Sequence, residues 1–185
     1  MKNFIEQPNV SAEGHVLITD LDTKEVLLNK YNAINFENLA FAIANLLSGE
    51  VGHGINHMAF GYGGTDINQN GQVNYKTPKV NGADGGLYTS SNFTKTIETF
   101  EVDNQETQPY TDLIMTVVLD YNDPSDAKDT DTSVNFEEEK DYVFDEIGLV
   151  NNNNKFLTHL IFHPIQKSKN RKLEIKYSLR IKAGV

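Results

Sequence analysis

The sequence contains no cysteine and no tryptophan, and it is short of positive charge. The lack of cysteine excludes disulfide bridges, thiolate metal sites and thiol catalysis. There are 16 lysines and arginines against 26 aspartates and glutamates, which gives a formal net charge of −10. Because affinity for nucleic acids and anionic membranes comes from clustered Lys and Arg, we predict that neither is a partner.

Long apolar runs are also lacking. No stretch approaches the ~20 consecutive apolar residues of a membrane-spanning helix. An acid and a proline interrupt the first eight residues, Met-Lys-Asn-Phe-Ile-Glu-Gln-Pro, where a signal peptide has an unbroken apolar stretch. We therefore expect a protein that is made and used without Sec export.

The length of 185 residues suits one domain, over residues 1–185. A domain of this size buries about 70% of the surface that its unfolded chain exposes, so it needs no disulfide or metal for stability. Hydrophobic residues make up 38% of the chain, which is more than a disordered chain contains. We expect a folded, acidic protein.

One helix pattern is present, over residues 36–48. Asn35 suits the N-cap, Glu37 suits the positive end of the helix dipole, and Gly49 suits the left-handed residue that ends a helix. The apolar residues follow the i, i+3, i+4, i+7 spacing of one buried face, which predicts a helix packed on a sheet. They are Phe36, Leu39, Ala40, Ile43, Leu46 and Leu47.

Most other patterns are those of antiparallel strands. Alternation over residues 15–28, interrupted by a turn at residues 20–24, predicts a hairpin. The clearest strand covers residues 172–182, where apolar residues alternate strictly with polar and charged ones. Further strands are predicted at residues 57–62, 93–100, 113–121, 142–150 and 156–163, the last of which ends at Pro164.

Two long polar segments separate these strands. Residues 66–108 are rich in Gly and Asn, and residues 122–140 are rich in acids, so we predict extended loops in both and a solvated, mobile loop in the second. Strands and helices do not alternate as a parallel sheet requires. We therefore predict a mainly β protein, an antiparallel β-sandwich with one α-helix packed on it.

One part of the first polar segment is similar to half of a calcium loop. Between Asp66 and Asn74, oxygen-bearing residues alternate and Gly71 takes the sixth position. The twelfth position is Thr77 instead of a bidentate Glu, and neither flank has a helical pattern. An ordinary Asn/Gly turn is therefore the simpler interpretation.

Two histidine pairs have a spacing that would bring both imidazoles to one metal on a helix: His53 with His57, and His159 with His163. The second pair lies on a predicted strand, where four residues separate two side chains by about 13 Å. Gly54 interrupts the first pair, which is not helical either. We interpret all four histidines as structural.

The glycine-rich residues 61–65 lack the lysine and the spacing of a phosphate loop. They are interpreted as a tight turn that ends the preceding strand. No serine lies in a G-x-S-x-G motif, so a hydrolase of that type has no support. We predict no catalytic, cofactor or metal site, and we do not expect an enzyme.

Six short segments of the sequence form a recognisable series. They are N-A-I-N-F-E-N-L at 32–39, M-A-F-G-Y-G-G-T at 58–65, Y-T-D-L at 110–113, F-D-E-I-G-L at 144–149, L-T-H at 157–159 and P-I-Q-K-S-K-N-R at 164–171. In this order they resemble a family of small virion structural proteins of tailed bacteriophages. The likeness covers residues 26–181, although Asn35 stands where the family often has His.

The resemblance implies a structural subunit at the neck, tail or baseplate of a phage particle. Such a subunit contacts copies of itself and other virion proteins, and it is assembled in the cytoplasm of the host bacterium. Polar arms at residues 66–108 and 122–140 that become ordered against neighbouring subunits would suit this role. Two alternatives stay open: a capsid decoration protein, and a carbohydrate- or cell-surface-binding module that uses the Gly/Asn-rich loops and calcium between Asp66 and Asn74.

Overall fold

The computed structural model describes residues 10–82, 85–89, 93–104, 107–124 and 142–183. Within these residues the chain forms eleven strands and one helix, a mainly β structure as predicted. The elements are β1 (Val10–Asp20), β2 (Val26–Ile34), α1 (Phe36–Leu47), β3 (Ile55–Gly61), β4 (Thr65–Ile67), β5 (Val73–Tyr75), β6 (Phe93–Thr96), β7 (Thr99–Asn104), β8 (Tyr110–Leu119), β9 (Tyr142–Asn151), β10 (Thr158–Lys167) and β11 (Leu173–Ala183).

Nine of the strands form one curled antiparallel sheet in the order β6-β3-β9-β10-β2-β1-β11-β8-β7. The curl divides the sheet into a five-stranded layer, from β2 to β7, and a four-stranded layer, from β6 to β10. At one corner, the last two residues of β2 pair with Thr158 and His159 of β10. Side chains of both layers form one hydrophobic cluster, so the prediction of an antiparallel sandwich is confirmed.

The other corner is made by a single bent segment, residues 93–104. Its first half, β6, pairs with β3, and its second half, β7, pairs with β8. Ile97 lies at the bend and is buried in the core. The predicted single strand at residues 93–100 is therefore two strands, because each half finds a different neighbour.

Strict alternation of polar and apolar residues identified the core-facing residues of β11 correctly. Every second residue of β11 from Leu173 to Leu179 is buried, and each pairs with a residue of β8 on one side and of β1 on the other. The predicted hairpin is also present, as β1 and β2. Its turn is held by Asp20, whose side chain accepts hydrogen bonds from two backbone N–H groups of the turn.

The predicted end of β10 at Pro164 is wrong, since the strand continues to Lys167. The pairing of β10 with β9 shifts register between Ile161 and Ile165. Such a bulge is one of the few places in a sheet that accepts proline, because the missing N–H is then not needed for the ladder.

Helix α1 begins at Phe36 as predicted and ends at Leu47, one residue before the predicted end, but its buried face is narrower than predicted. Asn35 accepts a hydrogen bond from the backbone N–H of Asn38 at 3.0 Å, which confirms the N-cap. Only Leu39 of the six predicted residues is fully buried, while Ile43 is half-buried. The others face solvent: Phe36, Ala40, Leu46 and Leu47. The sandwich covers one side of the helix and leaves the rest of its apolar stripe exposed.

The segment at 66–108, predicted as an extended loop, contains all or most of four short strands, β4 to β7. Two of them join the main sheet, and β4 pairs with β5 in a small hairpin. Of the acidic segment predicted at residues 122–140, only residues 122–124 belong to the described part of the chain. The rest of that prediction lies outside the described residues.

Candidate functional site

Three polar side chains are buried together on the outer face of the four-stranded layer: Asp145 and Glu146 of β9, and His159 of β10. Glu146 and His159 have no exposed surface at all. Burying a carboxylate is costly unless hydrogen bonds compensate for the water it loses. The hydrogen-bond partners of this carboxylate–histidine cluster therefore indicate its role in the protein.

Each carboxylate binds backbone N–H groups of one distant segment. Asp145 accepts hydrogen bonds from the N–H groups of Gly64 (3.0 Å) and Thr65 (2.8 Å), and from the Thr65 hydroxyl. Glu146 accepts from the N–H groups of Tyr88 (2.8 Å) and Thr89 (3.0 Å). Backbone donors that would otherwise be buried without partners are thereby satisfied.

His159 binds the same segment and links it to Glu146. Its Nδ1 accepts a hydrogen bond from the backbone N–H of Lys79 at 2.8 Å, and its Nε2 lies 3.0 Å from Glu146 Oε2. Because Nδ1 acts as an acceptor, the proton of the neutral ring is on Nε2, which donates to Glu146. Burial alone would raise the pKa of Glu146, but the hydrogen bonds from His159, Tyr88 and Thr89 hold it below its usual value.

The segment held in this way is a strap, residues 62–82 and 85–89, that crosses the outer face of β3, β9 and β10. Leu87 of the strap packs against Ala59, Val150 and Phe156 of the layer beneath it, and the four residues form a second small hydrophobic cluster. The carboxylate–histidine cluster is thus an anchor for the strap, and its oxygen and nitrogen atoms are committed to hydrogen bonds within the protein.

The candidate calcium loop lies at the tip of this strap. The stretch from Asp66 to Asn74 forms the β4–β5 hairpin, in which Asn68 Oδ1 accepts hydrogen bonds from the backbone N–H groups of Asn70 and Gln72, both at 2.9 Å. Asp66 forms an ion pair with a lysine of the strap, Nζ of Lys76, at 3.4 Å.

The described residues include no group of three or more histidines and acids placed to hold a metal. Within the hairpin itself, the one charged side chain of the sequence motif, Asp66, is directed to a lysine.

The four histidines are not brought together in pairs. His159 is buried, whereas His163 lies near the surface with its Nδ1 3.4 Å from the Tyr75 hydroxyl. His53 packs edge-on against Phe41, with 5.5 Å between ring centroids. His57 binds the side chain of the adjacent Asn56 at 2.6 Å.

The glycine-rich residues 61–65 form the predicted turn after β3. Gly63 has a φ of 109°, a conformation that other residues rarely adopt. Two consecutive N–H groups of this turn point at an anion, as in a phosphate loop, but the anion is the protein's own Asp145.

A second surface feature consists of the exposed large apolar residues of α1 and of the loop that follows it, which we call the α1 face: Phe36, Phe41, Leu46, Leu47 and Val51. All five side chains are at least half exposed, and Leu47 and Val51 are 84% and 88% exposed. Glu37 and Glu50 are the charged residues next to them, and the sequence has no Lys or Arg between Tyr31 and Tyr75. A shallow groove of about 660 Å³ continues this face from Phe36 towards β1 and β2.

A third feature is the lysine patch, formed by Lys30 of β2 with Lys76 and Lys79 of the strap. The Lys76 and Lys79 ammonium groups lie 5.0 and 4.3 Å from the centre of the Tyr88 ring, and that of Lys30 lies 5.6 Å from the Tyr75 ring. Neither Lys30 nor Lys79 forms an ion pair with a carboxylate of the described residues. The patch is a local basic surface on an acidic protein.

Sequence reasoning missed all three features. The one available signal for the anchor was the adjacent pair Asp145 and Glu146 inside an otherwise apolar strand. The lysine patch brings Lys30 to Lys76 and Lys79, which lie 46 and 49 positions further along the chain, so no local pattern marks it.

Comparisons with known proteins identify no relative of this chain. No family model matches the chain, and neither the curated proteins nor the solved structures contain a significant match. Among the described residues, no helix is long and apolar enough to cross a bilayer.

Proposed function

We propose that this chain is a structural subunit of a tailed-bacteriophage virion, which assembles by protein–protein contacts into a ring or array at the neck, tail or baseplate. Its partners are copies of itself and other virion proteins, and its location is the particle, after assembly in the host cytoplasm. The six sequence segments that resemble virion proteins support the class of protein. The structure supports the mode of action.

The observation that carries this proposal is the α1 face. Five large apolar residues stay exposed between Phe36 and Val51, and a large exposed apolar area on a folded domain commonly marks a surface that another protein covers. Each of these half-exposed side chains would gain roughly 1–2 kcal/mol on being covered. A helix that keeps part of its apolar stripe outside its own core therefore has a driving force for association.

The rest of the molecule suits a rigid building block. The sandwich supplies a closed core, and the buried cluster of Asp145, Glu146 and His159 fixes the strap over one layer through hydrogen bonds. Glu146 and His159, the two polar residues with no exposed surface among the described residues, thus serve to hold the fold. A capsid decoration protein is the nearest variant of the proposal, since it would use the same kind of surface.

Sizing with light scattering over a range of concentrations tests the association. We expect the wild type to form oligomers, and we expect Leu47→Glu with Val51→Glu to form monomers because charges on the α1 face would be buried. Val26→Glu, a change at an exposed valine of β2 away from this face, is the matched control and should still associate. A monomeric wild type, or a double variant that associates as well as the control, would contradict the proposal.

Mass spectrometry of purified particles tests the location. We expect peptides of this chain in tails or in neck-containing fractions of the source phage. Finding them only in heads would favour the decoration variant, and their absence from particles would refute a virion role.

A further inference from the structure

Two surfaces of opposite character lie on the same molecule. The α1 face is apolar and carries two acids, Glu37 and Glu50. The lysine patch is basic, although Asp66 pairs with Lys76 within it, and it has exposed apolar surface at Tyr75, whose ring centre lies 5.6 Å from the Lys30 ammonium group. The two surfaces therefore carry opposite charges, and both include exposed apolar side chains.

We propose that the α1 face of one copy docks on the lysine patch of a second copy. This inference rests on the proposed function, because it names the partner and the second surface for the same assembly contact. Glu37 and Glu50 would face Lys30 and Lys79, and the apolar side chains would meet between these charges. An apolar centre with a charged rim is the usual anatomy of a protein interface.

The charges around the α1 face indicate which surface of a second copy it binds. Two α1 faces packed on each other would bring Glu37 and Glu50 of one copy close to those of the other, and like charges at a contact oppose it. The lysine patch offers cations whose carboxylate partners are not found among the described residues. The complementary surface is thus already present on another copy of this acidic chain.

The exposed apolar area of the α1 face is large enough for an interface. Five large apolar side chains on the α1 face, all at least half exposed, together present an area on the order of the ~800 Å² that each partner contributes to a standard interface. A contact between two different surfaces of one chain is heterologous, and it closes into a ring when its rotation permits. This is the geometry that a ring at a phage neck or tail requires.

A charge exchange tests the pairing of these two surfaces. In one variant Lys30 and Lys79 are changed to Glu, and in another Glu37 and Glu50 are changed to Lys. We expect each variant alone to associate at least 10-fold more weakly than the wild type, because each then carries like charges on both surfaces. A 1:1 mixture of the two, and the variant with all four changes, should associate again.

Two controls keep the result specific. Lys24→Glu with Lys169→Glu changes the net charge by the same amount at exposed lysines outside the patch, and it should associate as the wild type does. Circular dichroism and melting temperature establish that each variant is folded. Wild-type association should also weaken as NaCl rises, because screening reduces attraction between exposed charges.

The outcomes separate this inference from the proposed function. If Leu47→Glu with Val51→Glu prevents association while the lysine changes do not, the α1 face binds something other than the lysine patch, and this inference is overturned although the proposed function stands. Failure of the 1:1 mixture to associate would overturn it as well. A wild type that is monomeric at every concentration would overturn both.

Discussion

Replacing Glu146 by Gln should loosen the strap without disturbing the sandwich beneath it. The change keeps the shape of the side chain but turns one carboxylate oxygen into an NH₂ group. One oxygen of Glu146 faces the N–H of Thr89, and the other faces the N–H of Tyr88 and Nε2 of His159. In either orientation of the new amide, a donor therefore faces a donor.

The expected loss of stabilising free energy in the strap follows from the number of hydrogen-bond donors that lose an acceptor. With the amide nitrogen towards Thr89, one buried N–H is left unsatisfied; in the other orientation, the N–H of Tyr88 and the ring of His159 are affected. His159 cannot relieve the clash by moving its proton, since its Nδ1 accepts from Lys79. One unsatisfied buried donor costs about 1–3 kcal/mol, so we expect a loss near 2 kcal/mol.

Amide hydrogen exchange of the strap is the assay. A loss of 2 kcal/mol corresponds to exchange about 30-fold faster at the amides of Lys79, Tyr88 and Thr89. Amides of β11 should be affected least, because they lie in the opposite layer. Glu25→Gln, at an exposed glutamate after the β1 turn, is the control. Unchanged protection of the three strap amides in Glu146→Gln would refute the view that this carboxylate anchors the strap.

Two further predictions concern the sandwich itself. Arg171 and the turn N–H groups lower the pKa of Asp20 to about 2, below the usual 3.8, so this carboxylate stabilises the fold fully above about pH 4 and loses that effect as the pH falls towards 2. Asp20→Asn should therefore cost about 1–2 kcal/mol at pH 7, after allowance for the exposure of Arg171, and almost nothing at pH 2; urea titrations that give equal losses at both values would contradict this. Gly148→Ala should cost about 1–3 kcal/mol, because the new methyl group would lie 2.6 Å from the Thr158 carbonyl oxygen. Gly54→Ala, where the methyl group meets nothing within 4 Å, is the control, and equal urea midpoints for the two alanine variants would show the reasoning to be wrong.

The features that could be predicted from the sequence depend on neighbouring residues. The alternation in β11 and the N-cap at Asn35 can each be recognised from a few neighbouring positions, although β11 itself pairs with the distant strands β1 and β8. The helix pattern located both ends of α1 to within one residue, but the spacing of its apolar residues does not show which of them the protein covers. Four of the six residues predicted as buried are therefore exposed.

The features that could not be predicted depend on residues far apart in the chain. The strap has little apolar periodicity, and it is held because Asp145 binds Gly64, 81 positions away. The bulge that admits Pro164 into β10 is likewise a matter of pairing with β9. In such places the local composition indicates a loop, while hydrogen bonds to residues distant in the chain hold the segment in a defined conformation.

Both margins of the curled sheet belong to the single bent segment at residues 93–104, and this has a mechanical consequence. Neither β6 nor β7 can peel away from its neighbour without pulling on the other through Ile97. The segment connects the two layers, so that detaching one edge strand from the sheet would also weaken the pairing of the other edge strand. We expect the two layers to separate in one cooperative step, so that the fold would resist force until this segment detaches.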